Sequence, residues 1–262
     1  MNIENLCEFG GIVRAADNTN LLELPSSYIE NLFKDYHLLL FRGFDSLSKD
    51  EMVAFSERFG PLLEWDFGYV FDLQIQENPK NHIFREGRLE LHWDGSYLGP
   101  EKTPKYSFFQ CVEGNDFEGG ETIFCDSINA FEDSDDEFKS KLKAANITYQ
   151  TERKAHFGGT LSWPLVCPMT NDGRPVIRYM EAFNEDNEDI NPIDVSVDGM
   201  DRLNSDAFLR ELNAHLYESK YLYQHRWTKG EFLMFNNNAL LHGRNSFQSA
   251  SDRRRIQRVH IL

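Results

Sequence analysis

A series of short apolar and aromatic runs, parted by Gly, Asn and Asp, sets the tightest limit on how this chain folds. The runs are Tyr36–Phe44, Gly68–Ile75, Tyr106–Val112, Thr122–Cys125, Ile147–Thr151, Pro175–Met180, Glu231–Phe235 and Ile256–Leu262. Many short strands with turn residues between them predict a mainly β sandwich or jelly roll. Helical patterns interrupt the strands at Ser26–Asp35, where Ser26 and Ser27 are candidate N-caps, at Lys49–Phe59, and at Ile128–Ala145 and Asp201–Glu218. They are expected to pack outside the sheets. The acidic stretch Glu132–Glu137 fits a solvated face or a first helical turn, where negative charge is favourable.

At 262 residues, with no shift in composition that marks a linker, residues 1–262 read as one domain. Its 21 Phe fit a densely packed β interior. A formal net charge of −16 repels phosphate backbones, which argues against nucleic acid and anionic membranes as partners. Any small anionic substrate must be held by local arginines. Cys7, Cys111, Cys125 and Cys167 show no CxxC spacing, the first residues lack the basic and apolar regions of a signal peptide, and no apolar run reaches the ~20 residues of a membrane helix. A cytoplasmic location is expected. No strand-like run leads into GxGxxG or GxxxxGK, so dinucleotide and P-loop chemistry have no support. Nothing in the sequence specifies an oligomeric state.

The chemistry-bearing residues lie far apart. His92-Trp93-Asp94 precedes His242 by 150 positions, and Arg254 and Arg258 follow. On a strand, residues two apart share a face, so His92 and Asp94 are expected to bind one ion while Trp93 points away. His242 ends an apolar run before Gly243, as a ligand approached closely by other groups would. Two imidazoles and one carboxylate cover one face of an octahedral iron(II) and leave adjacent positions open. Arg254 and Arg258, four apart, share a strand face, whereas Arg253 and Arg255 fit a solvated tail. A guanidinium pairs with a carboxylate through two parallel hydrogen bonds, so one of these arginines suits a dicarboxylate co-substrate such as 2-oxoglutarate.

The order His-x-Asp, Gly119-Gly120-Glu121-Thr122, a distal His-Gly and an Arg twelve residues beyond resembles the TauD-type iron(II)/2-oxoglutarate-dependent dioxygenases. The resemblance implies a double-stranded β-helix, iron(II) on His92, Asp94 and His242, the 2-oxoglutarate carboxylate on Thr122 and Arg254, and dioxygen as the second co-substrate. It is closer to the paerucumarin-type dioxygenases that act on isonitrile derivatives of aromatic amino acids. The shared segments are His37–Phe44, Leu91–Leu98 (LHWDGSYL), Phe109–Val112, Asn191-Pro192, Asp198-Gly199, His225-Arg226-Trp227, Leu240–Arg244 (LLHGR) and Arg258–Ile261. One departure is Asn236-Asn237, where Asp-Asn is expected.

This likeness implies a tyrosine or tryptophan isonitrile as the small-molecule substrate, either desaturated with loss of its carboxylate to a vinyl isonitrile or hydroxylated. Trp65, Phe67, Tyr69 and Tyr97 are candidates to line an aryl pocket, and Arg258, Arg178 and Arg226 to hold a substrate carboxylate. Arg258 is preferred for its nearness to Arg254. The remaining histidines, His37, His82, His156, His215, His225 and His260, lack ligand spacing and are assigned no role. Three other readings use the same residues: a TauD-type hydroxylase of a free amino acid or sulfonate, a zinc hydrolase, and a jelly-roll binding protein without activity. The zinc reading does not call for Thr122 and Arg254, and the binding reading does not call for an intact ligand set.

Overall fold

In the computed structural model, which describes residues 3–15, 19–114, 119–154, 157–169, 172–182, 187, 189–190, 192–248 and 254–262, the strand-like runs gather into two principal sheets. The seven-stranded sheet runs in the order Ile3–Cys7, Gly10–Arg14, Leu38–Arg42, Phe232–Asn236, Tyr106–Glu113, Arg255–Ile261 and Phe71–Leu73. The four-stranded sheet runs Leu222–His225, Thr122–Asp126, Leu240–Arg244 and Leu89–His92. Almost every pairing is antiparallel; the exception is Gly10–Arg14 against Leu38–Arg42.

Side-chain alternation explains why these strands read as unbroken apolar runs. Leu233 and Phe235 share one buried cluster with Phe109, Ile256, Phe124 and Leu240, drawn from both sheets, which is the interior of a jelly roll. Their neighbours Phe232, Met234, Phe108 and Val259 point the other way, onto Ile29 and Phe33 of one helical region and Met52 and Phe55 of another. On the opposite side Leu91, Ile123, Cys125 and Leu241 meet Phe131, Phe138, Phe208 and Leu212. Both outer faces are thus covered by helices. A third, three-stranded sheet (Asp194–Val197, Asn146–Lys154, Phe157–Pro164) adds Ile147, Tyr149 and Val195 to that last cluster.

The helices correct several boundaries. The first spans Ser26–Leu32, and its N-cap is Pro25, not a serine: the ring fixes φ at −61°, and no side chain caps the helix. Lys49–Ser56 begins in a capping box between Ser48 and Glu51 and tightens into a 3₁₀ turn at Glu57–Phe59. The expected helix over Ile128–Ala145 is two helices, Ser127–Glu132 and Asp136–Ala144. The break follows from competing caps: Asp126 accepts the Ile128 and Asn129 N–H groups, and Asp135 accepts that of Phe138. The acidic stretch therefore starts a helix, with Asp136 and Glu137 in its first turn. Arg202–Leu216 is one helix, capped by Asp201. Arg253, His156 and Asn191 lie outside the described residues.

Candidate metal centre

Alternation carries three side chains to one point inside the roll. Leu241 faces outward, so His242 faces in; Leu91 faces outward, so His92 faces in. The two histidines are direct register partners on adjacent antiparallel strands, with ring centroids 4.3 Å apart. Asp94 completes the group, and the three residues offer ligand atoms all within 4.8 Å of one another. The local route differs from the expectation that His92 and Asp94 share a strand face. The strand ends at His92, and Asp94 sits in the turn beyond it. Gly243 is also differently explained: a Cβ there would lie 2.6 Å from the Leu89 carbonyl oxygen, so the close approach is between neighbouring strands rather than to a ligand.

The electrostatics keep each group in the form that binds a metal. His92 Nδ1 lies 2.8 Å from the Glu90 carbonyl oxygen, which only accepts, so neutral His92 carries its proton on Nδ1 and leaves the Nε2 lone pair free. Burial lowers the His92 pKa and, with His92 as neighbour, takes that of His242 down to about 3. Both imidazoles are neutral at pH 7. Burial alone would raise the Asp94 pKa, but Arg258, His260 and His242 together hold it well below the usual carboxylate range. Two neutral nitrogens and one carboxylate, converging without prior proton loss, fit a divalent iron site.

Asp94 has partners that sequence reasoning did not find. Ser107 Oγ donates to Oδ2 at 2.9 Å, and His260 Nε2 lies 2.9 Å from the same oxygen. Ser107 and His260 are themselves register partners. A signal was present in the sequence, since His260 is two residues beyond Arg258 and must share its face. Arg258 Nη1 reaches Oδ1 at 3.0 Å.

Thr122 shares the inward parity of Phe124, and Arg254 enters the same interior just before its strand. Arg254 Nη1 lies 3.5 Å from Thr122 Oγ1 and donates to the Gly120 carbonyl. Trp227 Nε1 donates to Thr122 Oγ1 at 2.8 Å, which leaves the hydroxyl proton available to another acceptor. Burial lowers the Arg254 pKa to about 10, so it stays charged at pH 7. Among the described residues no carboxylate lies within ion-pair distance of it. A buried cation without a carboxylate partner has donors suited to an anion.

A cavity of about 290 Å³ opens from the metal-ligand cluster. His92, Asp94 and Arg258 line its inner end, and Trp65, Phe67, Phe71 and Tyr97 line its walls. Phe67 stacks on Phe71 with centroids 4.6 Å apart and on Trp65 at 6.2 Å, while the Arg258 guanidinium sits 5.4 Å from the Phe71 ring. Phe67 remains 55% exposed. Tyr69, Arg178 and Arg226 do not line this cavity. Arg178 donates to Asn238 Oδ1 and lies over Trp93, and Arg226 is exposed beside Glu121.

Comparison with known proteins gives a consistent picture. A family model described as taurine catabolism dioxygenase TauD, TfdA family, matches residues 3–260. The chain is 34% identical over 263 residues to 3-((Z)-2-isocyanoethenyl)-1H-indole synthase of Fischerella ambigua, covering 100% of this chain and 95% of that one. It is 33% identical over 242 residues to tyrosine isonitrile desaturase of Pseudomonas aeruginosa, covering 91% and 82%. The solved structure of PvcB, an Fe, α-ketoglutarate-dependent oxygenase from an isonitrile synthetic pathway, superposes with a TM-score of 0.77 at 27% identity, covering 97% and 86%.

Proposed function

As the chain belongs to the TauD/TfdA family of iron(II)/2-oxoglutarate-dependent dioxygenases, we propose that it oxidises an isonitrile derivative of an aromatic amino acid, tyrosine or tryptophan isonitrile, in secondary metabolism. The observation that carries this reading is the aromatic-walled cavity whose inner end holds His92, Asp94 and Arg258. The relatives that make or desaturate aryl isonitriles support it.

His92, Asp94 and His242 would hold the iron(II). When bound, the iron, with 2-oxoglutarate and dioxygen as co-substrates, supplies an oxidant strong enough to take hydrogen from carbon. Arg254 pairs with the distal carboxylate of 2-oxoglutarate, and the Thr122 hydroxyl donates its free proton to the same group. Both are buried, so this pairing is made away from water and its electrostatics are strong. Trp65, Phe67, Phe71 and Tyr97 take the aryl ring and exclude water from the benzylic carbon. Arg258 lines the cavity beside Asp94, which suits it to the substrate carboxylate.

In decarboxylative desaturation the benzylic carbon loses a hydrogen, the carbon bearing the isonitrile loses its carboxylate as carbon dioxide, and a double bond forms between those two carbons. The two electrons released, with two protons, convert one oxygen atom of dioxygen to water. The other oxygen atom enters succinate as 2-oxoglutarate loses its own carbon dioxide. Hydroxylation instead keeps the carboxylate and places on the benzylic carbon the oxygen atom that desaturation would convert to water.

The test is a panel of tyrosine isonitrile, tryptophan isonitrile, the free amino acids and taurine, each with iron(II), 2-oxoglutarate and air. An aryl isonitrile is expected to release succinate with a matching product in the mass spectrum. Succinate release driven by taurine or a free amino acid, with the isonitriles inert, would overturn the substrate assignment.

A further inference from the structure

The third member of the metal-ligand cluster sits where the sheet no longer holds the chain. His92 and His242 are fixed by a shared ladder, but the strand stops at His92, so the Asp94 N–H and C=O have no strand neighbour. Buried backbone groups without partners are costly, and an unanchored turn would leave the main chain that carries the carboxylate unfixed. One side chain supplies the missing neighbour. Asn237 Oδ1 accepts the Asp94 N–H at 2.9 Å, and Asn237 Nδ2 donates to the Asp94 carbonyl at 3.1 Å and to the Pro104 carbonyl at 2.8 Å. A carboxamide offers an acceptor and donors as a peptide group does, so here it stands in for a strand.

Asn237 is itself rigid. Its backbone N–H donates to the Lys105 carbonyl at 2.9 Å, and it belongs to the turn closed by Ala239 N–H on the Asn236 carbonyl, which leads directly into the strand bearing His242. The Asp94 turn is pressed against the same partner: Gly95 has φ +81°, and a Cβ there would lie 2.6 Å from Pro104 Cδ. One buried carboxamide thereby ties the Asp94 turn, the Pro104 segment and the turn before His242 into a single unit.

We propose that Asn237 is a positioning residue that fixes the Asp94 carboxylate relative to His92 and His242 and so sets metal affinity. Asn236 provides the control. It is equally buried and lies in the same turn, yet its Oδ1 accepts the Asn238 N–H at 3.0 Å and does not contact Asp94. That role is open to Asp or Asn alike, which accounts for the departure from Asp-Asn at this position.

The experiment is anaerobic titration of the full chain with cobalt(II) alone, followed by its absorption, alongside thermal unfolding of the metal-free protein. Asn237→Ala is expected to weaken cobalt(II) binding by roughly 10- to 100-fold, the usual consequence of losing a group that orients a ligand. Asn236→Ala is expected to lower the unfolding temperature while leaving cobalt(II) affinity within about twofold of the parent. Should Asn237→Ala fail to fold, Asn237→Ser, whose hydroxyl can replace only part of the carboxamide's bonding, is expected to give a smaller loss of affinity in the same direction. Unchanged cobalt(II) affinity in the Asn237 variants, or an equal loss in Asn236→Ala, would reduce Asn237 to a structural residue.

Discussion

His92 and His242, 150 positions apart in the chain, face each other as register partners across one antiparallel ladder, their rings 4.3 Å apart. The pairing makes the metal site a property of the sheet: a one-residue slip would turn one imidazole out of the roll. Asp94 lies beyond that ladder: the Asn237 carboxamide holds its backbone, and Ser107, His260 and Arg258 hold its carboxylate.

The buried charge of Arg254, which meets no carboxylate within ion-pair distance among the described residues, leads to a prediction about the co-substrate. Arg254→Ala should raise the KM for 2-oxoglutarate by on the order of 10- to 100-fold, the worth of a lost charge-assisted pair, with a much smaller change in the KM for the isonitrile. Steady-state kinetics with each substrate varied in turn checks this. Equal effects on the two KM values would remove Arg254 from its role.

The aromatic wall leads to a second prediction. Phe67 is half exposed at the cavity and stacked on Phe71, so an aryl substrate would cover a face that now meets water. Phe67→Ala should raise the KM for the aryl isonitrile by about 3- to 10-fold and leave that for 2-oxoglutarate unchanged. Isonitrile kinetics that do not respond would mean that the ring binds elsewhere.

Buried histidines make stability fall in mild acid. Burial, with Arg174 beside it, takes the His37 pKa down to about 4 from 6.5. The unfolded chain therefore takes up this proton first as the pH drops, and the folded state loses stability between pH 6.5 and about 4, by about 1.4 kcal/mol per pH unit at most for one proton. Below that range the folded state is protonated too and the contribution is spent. Thermal unfolding from pH 7 to 4 should show His37→Gln losing less stability than the parent. Parallel curves would contradict the assignment.

The parts of this account that sequence reveals are those governed by periodicity. The apolar run Glu231–Phe235 is legible as a strand, the His and Asp ligand types follow from their chemistry, and the roles expected of Thr122 and Arg254 come from the family resemblance. What stayed hidden depends on where strands stop. Because the strand ends at His92, Asp94 takes its neighbours from Asn237, Ser107 and His260, which lie on three other segments and have no fixed spacing from it. The helix over Ile128–Ala145 misled for a related reason, since Asp126 and Asp135 each start a helix and no hydrophobic period records the break. Nothing in the spacing of Arg178, a candidate for the substrate carboxylate, foretells its hydrogen bond to Asn238 Oδ1.

The most direct test of the central claim is the visible charge-transfer band expected when iron(II) and 2-oxoglutarate are added anaerobically to the full chain. The account predicts a band in the parent protein that is lost in His242→Ala, with the metal-free variant still folded by circular dichroism. A band that persists unchanged in His242→Ala would show that His92, Asp94 and His242 do not together hold the iron.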